Sequence, residues 1–294
     1  MHGISLILPV FNEEKCLLEE LERCVASLIK TKLAYEIIII DDKSTDNSLS
    51  IMTNYIEENK DLPIIIIKNK KNLGVGYSRK IGSEKAKYEI IIWTDVDLSY
   101  PNQDLDQIID YFIKSNVDMT VGSRKTEEGT YKLIRFSVKF FIRKLAEFLS
   151  QEKIPDLNSG MRVFKKKIAK KYYKFMPDGF SCVSTLSLSF LTNKHDVNYY
   201  EINYKQRSGK SKFKFFVDTA KYIKQVIVIC TTFNPLRIYL SIGFSLIFLA
   251  ILISLFGIYL NFYIPNSSIL FFLTGIVFIF MGAIADLISK NNKE

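Results

Sequence analysis

Two uncharged stretches near the C-terminal end constrain the fold of this chain most. Residues 238–260 and 264–285 contain no Asp, Glu, Lys, Arg or His. A helix rises about 1.5 Å per residue, so about 20 apolar residues cross the hydrocarbon core of a bilayer. Neither stretch has the amphipathic pattern of a helix that packs on a soluble core. We therefore predict a hairpin of two transmembrane helices.

Basic residues flank this predicted hairpin and are missing from its connecting loop. Lys221, Lys224 and Arg237 precede the first span, and Lys290 and Lys293 follow the second. Because positive charges are retained on the cytoplasmic side, this pattern predicts that both ends of the hairpin lie there. We expect a multi-pass protein of the inner (plasma) membrane whose N-terminal domain is cytoplasmic.

The chain carries a net charge of +9, from 40 Lys and Arg against 31 Asp and Glu. For a membrane-attached protein this excess favours anionic membrane lipids or a phosphate-bearing lipid as partners. No nucleic-acid-binding module is recognisable, so the pattern argues against nucleic acid as a partner.

Short apolar runs alternate with amphipathic helical patterns in the first part of the chain. The strand-like runs are residues 4–9, 36–40, 64–68, 89–94 and 117–122, and the helical patterns are 13–30, 48–59, 76–86 and 105–115. This alternation predicts an α/β fold with a mostly parallel, doubly wound sheet. Ligands of such sheets bind beyond the carboxyl ends of the strands.

Polar side chains follow four successive predicted strands. They are Asn12 and Glu14, then Asp41 and Asp42, then Asn72, and finally Asp95 and Asp97. If the sheet is parallel, they all lie along the same edge. The segment 42–46 also fits a helix N-cap, and both roles are compatible.

Asp95 and Asp97 stand one residue apart directly after the fourth strand. In extended backbone, residues i and i+2 point to the same side, and two buried like charges there require a cation between them. Mg²⁺ or Mn²⁺ takes one or two carboxylates and completes its shell with water and substrate phosphates. The pair therefore indicates a divalent metal, although a turn or a solvated loop is the alternative for so short a motif.

The second half of the chain contains two basic amphipathic segments, residues 131–149 and 211–229. Such helices beside a membrane span lie in the headgroup layer, or they are ordinary solvated helices. We predict a catalytic domain at 1–210, an interfacial helix at 211–235, the hairpin at 236–288 and a cytoplasmic tail at 289–294.

A set of motifs occurs in order along residues 8–212. They are LPVFNEE (8–14), DDKSTDNS (41–48), NLGVGYSRKIG (72–82), TDVD (94–97), VGSR (121–124), DLNSGMR (156–162) and QRSGKSK (206–212). Together they resemble the family 2 glycosyltransferases of the GT-A fold, in particular polyprenyl-phosphate glycosyltransferases such as dolichol-phosphate mannose synthase. The resemblance implies an inverting, single-displacement transfer from a UDP- or GDP-linked sugar.

The donor site that we expect uses residues of these motifs. Asp97 is the expected metal ligand, and Asp95 is expected to contact the metal through water or to bind the ribose. The glycines after the third strand, and a helix from Tyr77 with free N–H groups, are expected to receive a phosphate. The predicted nucleotide-sugar contacts are Pro9, Asn12, Glu14, Asp41, Asp42, Asn72, Gly74, Arg79, Asp95 and Ser159.

The resemblance also implies a polyprenyl phosphate as the acceptor. A phosphate monoester is already anionic near neutral pH, so its site needs cations rather than a general base. The predicted cations are Arg124, Arg135, Lys139, Arg207, Lys210 and Lys212. A headgroup-binding or solvated face is the alternative for Lys139 and Arg143. If a base is needed, Asp156 is the expected one, and Asp156 and Ser159 are expected near the sugar hydroxyls.

One departure from the family pattern leaves the sugar open. Ser184 and Thr185 stand where many relatives carry a glutamate. Two other functions are weighed as well. One is transfer to a sugar hydroxyl of a cell-envelope glycan, although a Gln-x-x-Arg-Trp motif is missing. The other is an inactive membrane scaffold, against which the retained Asp95, Asp97 and Arg124 argue. A homo-oligomer is left open.

Overall fold

A computed structural model describes residues 3–124, 143–148, 150–179, 181–205, 224, 227–228, 231–232, 234–261 and 263–291. The chain divides into two compact units. The first comprises Met1–Glu147 and Glu152–Val226, and the second comprises Phe148–Gln151 and Ile227–Glu294. The predicted boundary at 210 lies outside the described residues.

The first unit is built on one mostly parallel sheet, as predicted. Its strands are β1 (Gly3–Val10), β2 (Ala34–Asp41), β3 (Ile64–Lys68), β4 (Ile90–Trp93), β5 (Met119–Arg124), β6 (Arg162–Lys165) and β7 (Val197–Ile202). Their order across the sheet is β3-β2-β1-β4-β6-β5-β7. Only β6 runs antiparallel, between β4 and β5. The sequence did not predict β6 or β7.

Six helices with assigned bounds lie between the strands of this unit, besides a helical stretch that the structure describes at 143–148. They are α1 (Leu17–Lys30), α2 (Ser48–Glu58), α3 (Val75–Lys85), α4 (Leu105–Ser115), α5 (Lys166–Lys170) and α6 (Cys182–Thr192). The helix predicted from residue 13 begins only at Leu17, because the residues before it bind the next loop along the sheet edge.

Both faces of the sheet are covered. On one face Leu6 and Ile39 pack into a buried cluster with Leu21 of α1. On the other face Gly82 brings α3 so close that a Cβ there would lie 2.6 Å from Ile7 Cγ2. Fully buried aliphatic side chains of this kind each contribute about 1.5–3 kcal/mol. The near-continuous apolar strands are therefore explained by burial on both faces.

The second unit contains the helical hairpin, α7 (Pro235–Asn261) and α8 (Asn266–Asn291). The two helices pack tightly, since a Cβ on Gly243 would lie 2.8 Å from the carbonyl oxygen of Gly275, and the reverse distance is the same. The hydroxyls of Ser254 and Ser268 hydrogen-bond at 2.6 Å.

The outer surface of this hairpin is apolar. Phe248, Phe256 and Phe280 are each more than 60% exposed, which is unfavourable in water and favourable in lipid. Pro235–Leu260 and Asn266–Ser289 are long and apolar enough to cross a membrane. The predicted transmembrane pair is confirmed, with helices slightly longer than the charge-free stretches.

Candidate active site

The carboxyl ends of the parallel strands meet at one edge of the sheet, and the antiparallel β6 begins at that same edge. Its first residue, Arg162, pairs with Trp93, the last residue of β4. The loop that leads into β6, residues 156–161, therefore lies beside the Asp95–Asp97 turn. This topology explains why a motif distant in sequence contributes to the same site.

Asp95 forms an ion pair with Arg79 of α3, whose side chain is buried. The Arg79 Nη2 atom lies 2.7 Å from Asp95 Oδ1, and its Nη1 lies 3.6 Å from the Sγ of Cys182. Burial would lower the pKa of Arg79, but the charge of Asp95 raises it above the ordinary value. The other carboxylate oxygen of Asp95, Oδ2, accepts no hydrogen bond from the described residues, and the side chain is 34% exposed. This oxygen is available to a ligand.

Asp97 is more buried than Asp95, with only 5% of its surface exposed. Its Oδ1 accepts hydrogen bonds from the backbone N–H of Ser99, at 3.1 Å, and from the Ser99 hydroxyl. Among the described residues no three His, Cys, Asp or Glu side chains form a metal-binding group. A metal here would have the two aspartates and the substrate phosphates as ligands, which fits Mg²⁺ or Mn²⁺.

A second ion pair joins Arg124, at the end of β5, to Asp156. It is bidentate, with Nε to Oδ2 at 2.6 Å and Nη2 to Oδ1 at 2.9 Å. Although burial raises the pKa of Asp156, the hydrogen bonds and charge of Arg124 outweigh it and hold that pKa below its ordinary value. Both carboxylate oxygens of Asp156 bind Arg124, and a role for Asp156 as the base, if one is needed, stays a prediction.

Gly160 lies against the first of these ion pairs. A Cβ on Gly160 would stand 2.7 Å from Asp95 Oδ2, 3.0 Å from Arg79 Nη2 and 3.1 Å from the hydroxyl of Tyr100. The Tyr100 hydroxyl also accepts the N–H of Gly160 at 2.6 Å. The hydroxyl of Ser159 is buried and has no hydrogen-bond partner among the described residues. Ser159 is thus beside the site with an unused polar group, and its predicted sugar contact stays a prediction.

Two of the predicted nucleotide-binding residues, Asn12 and Glu14, bind the neighbouring loop. Asn12 Oδ1 accepts the N–H of Thr45 at 2.7 Å. Glu14 Oε2 accepts both the backbone and the side-chain N–H of Asn47 at 3.0 Å, just before α2. These bonds join the two loops that follow β1 and β2. Contacts of Asn12 and Glu14 with a nucleotide remain predictions.

Asp42 holds the loop after β3. Its carboxylate accepts the N–H groups of Leu73 and Gly74, at 2.9 and 2.8 Å, while its carbonyl oxygen accepts from the Asn72 side chain. The neighbouring Asp41 accepts the N–H of Ser44 through Oδ1. These contacts hold the loops that follow β2 and β3 at the carboxyl edge of the sheet. Direct contacts of the same residues with a nucleotide stay predictions.

The expectation of free N–H groups at the start of α3 is wrong. The N–H groups of Gly76 and Tyr77 both donate to the carbonyl oxygen of Asp178, at 2.7 and 3.2 Å. Gly74 has φ +95°, and a Cβ there would lie 2.5 Å from that same oxygen. The glycines therefore permit close approach of the 177–179 backbone rather than of a phosphate.

Of the remaining predicted residues, the structure describes Pro9 and Arg143 and does not describe the other five. Pro9 lies in β1, paired with Ile40 of β2 at the same edge. Arg143 lies in a helical stretch at 143–148. Five of the predicted acceptor cations lie outside the described residues: Arg135, Lys139, Arg207, Lys210 and Lys212.

Sequence reasoning missed several residues that hold this site together. Glu20, Tyr100, Asn102 and Gly160 all contact the site or its supports. Glu20 alone had a readable signal, because it is a charged residue on the apolar face of α1, between Leu17 and Cys24 at helical spacing.

A mostly parallel sheet with paired aspartates and buried arginines at its carboxyl edge is the arrangement of a nucleotide-dependent transferase. The chain belongs to glycosyl transferase family 2, whose model matches residues 5–173. A second family model, the GtrB C-terminal hairpin, matches residues 234–290. The chain is thus a glycosyltransferase with a membrane hairpin.

Curated relatives match nearly the whole chain. The undecaprenyl-phosphate 4-deoxy-4-formamido-L-arabinose transferase of Pectobacterium atrosepticum is 23% identical over 98% of this chain and 88% of that protein. Its counterpart in Shewanella sediminis is 26% identical over 98% and 87%. The dodecaprenyl-phosphate galacturonate synthase of Rhizobium johnstonii is 23% identical over 68% of this chain and 62% of that protein.

Solved structures share the fold. Glucosyl-3-phosphoglycerate synthase from Mycobacterium tuberculosis, crystallised with Mn²⁺, UDP-glucose and phosphoglyceric acid, superposes with a TM-score of 0.59 at 14% identity, covering 78% of this chain and 80% of that one. At this identity the likeness concerns the fold alone.

Proposed function

We propose that this chain transfers one sugar from a nucleoside-diphosphate sugar to a polyprenyl phosphate, at the cytoplasmic face of the plasma membrane. The observation that carries the proposal is the extent of the match. Relatives whose names specify undecaprenyl phosphate align over 98% of the chain, through both the sheet domain and the hairpin. A hairpin with an apolar outer surface keeps the enzyme where such an acceptor resides.

The donor half of the reaction depends on Asp95 and Asp97. When bound, Mg²⁺ or Mn²⁺ would supply Lewis-acid stabilisation of the departing nucleoside diphosphate. Asp95 Oδ2, which has no other partner among the described residues, and Asp97 are the side chains that would hold the metal. Arg79 fixes the orientation of Asp95 through their ion pair.

The acceptor half needs no general base. The second pKa of a phosphate monoester lies near 6, so one of its oxygens is an anionic nucleophile at neutral pH. This oxygen attacks the anomeric carbon, while the bond from that carbon to the donor phosphate oxygen breaks. The products are a glycosyl phosphodiester of the lipid and a nucleoside diphosphate, and the anomeric configuration inverts. The engagement of Asp156 with Arg124 supports a reaction without a base.

Arg124 is the described residue that we assign to the acceptor phosphate. Its guanidinium is oriented by Asp156 and lies 5.2 Å from the ring of Tyr204, so its position is fixed before the substrate arrives. Arg135, Lys139, Arg207, Lys210 and Lys212 would complete the binding of this phosphate and of the adjacent headgroups.

A donor screen tests the proposal. The purified full chain is incubated in lipid with Mn²⁺, undecaprenyl phosphate and a panel of radiolabelled UDP- and GDP-sugars, and the label is partitioned into organic solvent. Undecaprenol, which lacks the phosphate, is the matched acceptor control. We expect lipid-phase label with one donor and only with the phosphorylated acceptor. Label that reaches a glycan hydroxyl but never the lipid phosphate would contradict the proposal.

A further inference from the structure

A buried polar network supports the Asp95–Asp97 turn from behind. Its centre is Asn102, the first residue of a single 3-10 turn (Asn102–Asp104). The side chain of Asn102 is fully buried. The Asn102 side-chain N–H₂ donates to the carbonyl oxygen of Asp95 at 2.9 Å and to Glu20 Oε2 at 2.6 Å. Its oxygen accepts the hydroxyl of Thr94 at 2.6 Å. All the hydrogen-bonding capacity of this amide is thus directed at the turn and at α1.

The orientation of the Asn102 amide follows from its partners. A backbone carbonyl only accepts hydrogen bonds, so the nitrogen must face Asp95, and Glu20 Oε2 accepts from that same nitrogen. The oxygen is then left to the Thr94 hydroxyl. Glu20 is itself fully buried on α1, and its second oxygen accepts from Arg23 at 2.8 Å. The amide therefore connects α1 to the side-chain hydroxyl of Thr94 and to the backbone carbonyl of Asp95.

Burying a carboxylate and an amide costs free energy unless every group is paired. An aliphatic residue at position 20 would avoid this cost, because it would extend the apolar face formed by Leu17, Leu21 and Cys24. The polar pair lies directly behind the turn that carries Asp95 and Asp97. Repulsion between like charges acts against any arrangement of the turn that brings the two carboxylates to one metal.

We propose that Glu20 and Asn102 are positioning residues that hold the Asp95–Asp97 turn in the geometry that binds a divalent metal with the donor diphosphate. The proposal rests on the proposed function, since it concerns the same metal. Both side chains are fully buried behind the turn. Their effect on affinity is transmitted through the Asp95 carbonyl and the Thr94 hydroxyl, in the way that outer partners orient metal ligands in other sites.

Trp93 provides a direct readout. It is the only tryptophan in the sequence, it is fully buried, and it immediately precedes Thr94. Binding of paramagnetic Mn²⁺ at the turn is expected to quench its fluorescence. We would titrate Mn²⁺ into the full chain in detergent, alone and with UDP or GDP, and record thermal unfolding of each variant in parallel.

The variants separate positioning from general stability. Asn102→Leu removes all three hydrogen bonds, and we expect Mn²⁺ affinity to fall at least tenfold, within the range of 10–100-fold that is typical for outer partners of metal ligands. Glu20→Leu is expected to weaken binding as well. Glu20→Gln keeps an acceptor for the Asn102 amide and is expected to restore most of the affinity.

Ser27→Ala is the matched control. The Ser27 hydroxyl also joins α1 to the start of α4, through Asp106 at 2.7 Å, but it does not contact the Asp95–Asp97 turn. We expect this variant to lower the unfolding temperature while Mn²⁺ affinity stays within twofold of wild type.

Three results would overturn the proposal. One is wild-type Mn²⁺ affinity in Asn102→Leu, and a second is an equal loss in Ser27→Ala. Either would leave the metal and the proposed function intact. Absence of any Mn²⁺-dependent quenching in the wild-type chain, with either nucleotide, would remove the metal site and the proposal together.

Discussion

Gly160 is a position where one added methyl group should disturb the ion pair between Arg79 and Asp95. In Gly160→Ala the new Cβ would lie 2.7 Å from Asp95 Oδ2 and 3.0 Å from Arg79 Nη2, so the Asp95 carboxylate, the Arg79 guanidinium or the loop must shift. Breaking a fully buried pair costs about 3–5 kcal/mol. Because Asp95 is 34% exposed, solvent screening reduces this figure to about 1.5–3 kcal/mol.

Each 1.4 kcal/mol corresponds to a factor of ten, so we expect kcat/KM for the donor to fall by about 10–150-fold in Gly160→Ala. The assay is initial-rate transfer into the lipid phase at varied donor concentration, with thermal unfolding measured on the same samples. Gly179→Ala is the matched control, because a Cβ there meets nothing within 4 Å. A folded Gly160→Ala enzyme with wild-type kcat/KM would refute the reasoning.

Three further predictions follow from contacts elsewhere in the sheet unit. Asp156→Asn should weaken the hold on Arg124 and raise the acceptor KM with little change in the donor KM, both measured by initial rates. The pKa of Asp156 is held below its ordinary value in the folded chain. The stability that Asp156 contributes is therefore present above about pH 4, the unfolded pKa, and is lost as the pH falls through the folded pKa. In Asp156→Asn the decrease of the unfolding temperature at acid pH should be smaller. Gly76→Ala places a Cβ 2.2 Å from the carbonyl oxygen of Pro177, and chemical unfolding should show a loss of about 1–3 kcal/mol; an unchanged midpoint would contradict the close approach. Asp118→Asn, which breaks a partly exposed ion pair with a lysine of β6, should cost less than about 1 kcal/mol and leave transfer rates unchanged.

The sheet was predictable from sequence because its signal is local. Apolar runs of strand length, bounded by polar loops, mark β1 to β5, and all five lie within a few residues of the predicted positions. The strand β6 escaped prediction because it is only four residues long, Arg162–Lys165, and pairs with strands far from it in sequence. Its direction is set by tertiary packing and not by any periodicity.

The candidate site was predictable as a list of residues but not as a set of contacts. Asp95 and Asp97 were recognisable from their spacing and from their place after a strand. That a neighbouring backbone uses the N–H groups of Gly76 and Tyr77 could not be predicted, because their acceptor, the carbonyl oxygen of Asp178, lies about a hundred residues away. Sequence spacing likewise does not reveal that Asp156 and Arg124 are paired.

The identity of the lipid product tests the central claim most directly. The full chain would be incubated with its preferred nucleotide sugar and synthetic polyprenyl phosphate, and the extracted lipid would be analysed by mass spectrometry and by NMR of the anomeric centre. We predict a single sugar joined to the lipid through one phosphodiester, with the anomeric configuration opposite to that of the donor. A product with retained configuration, or a sugar joined to any acceptor other than the lipid phosphate, would contradict the account.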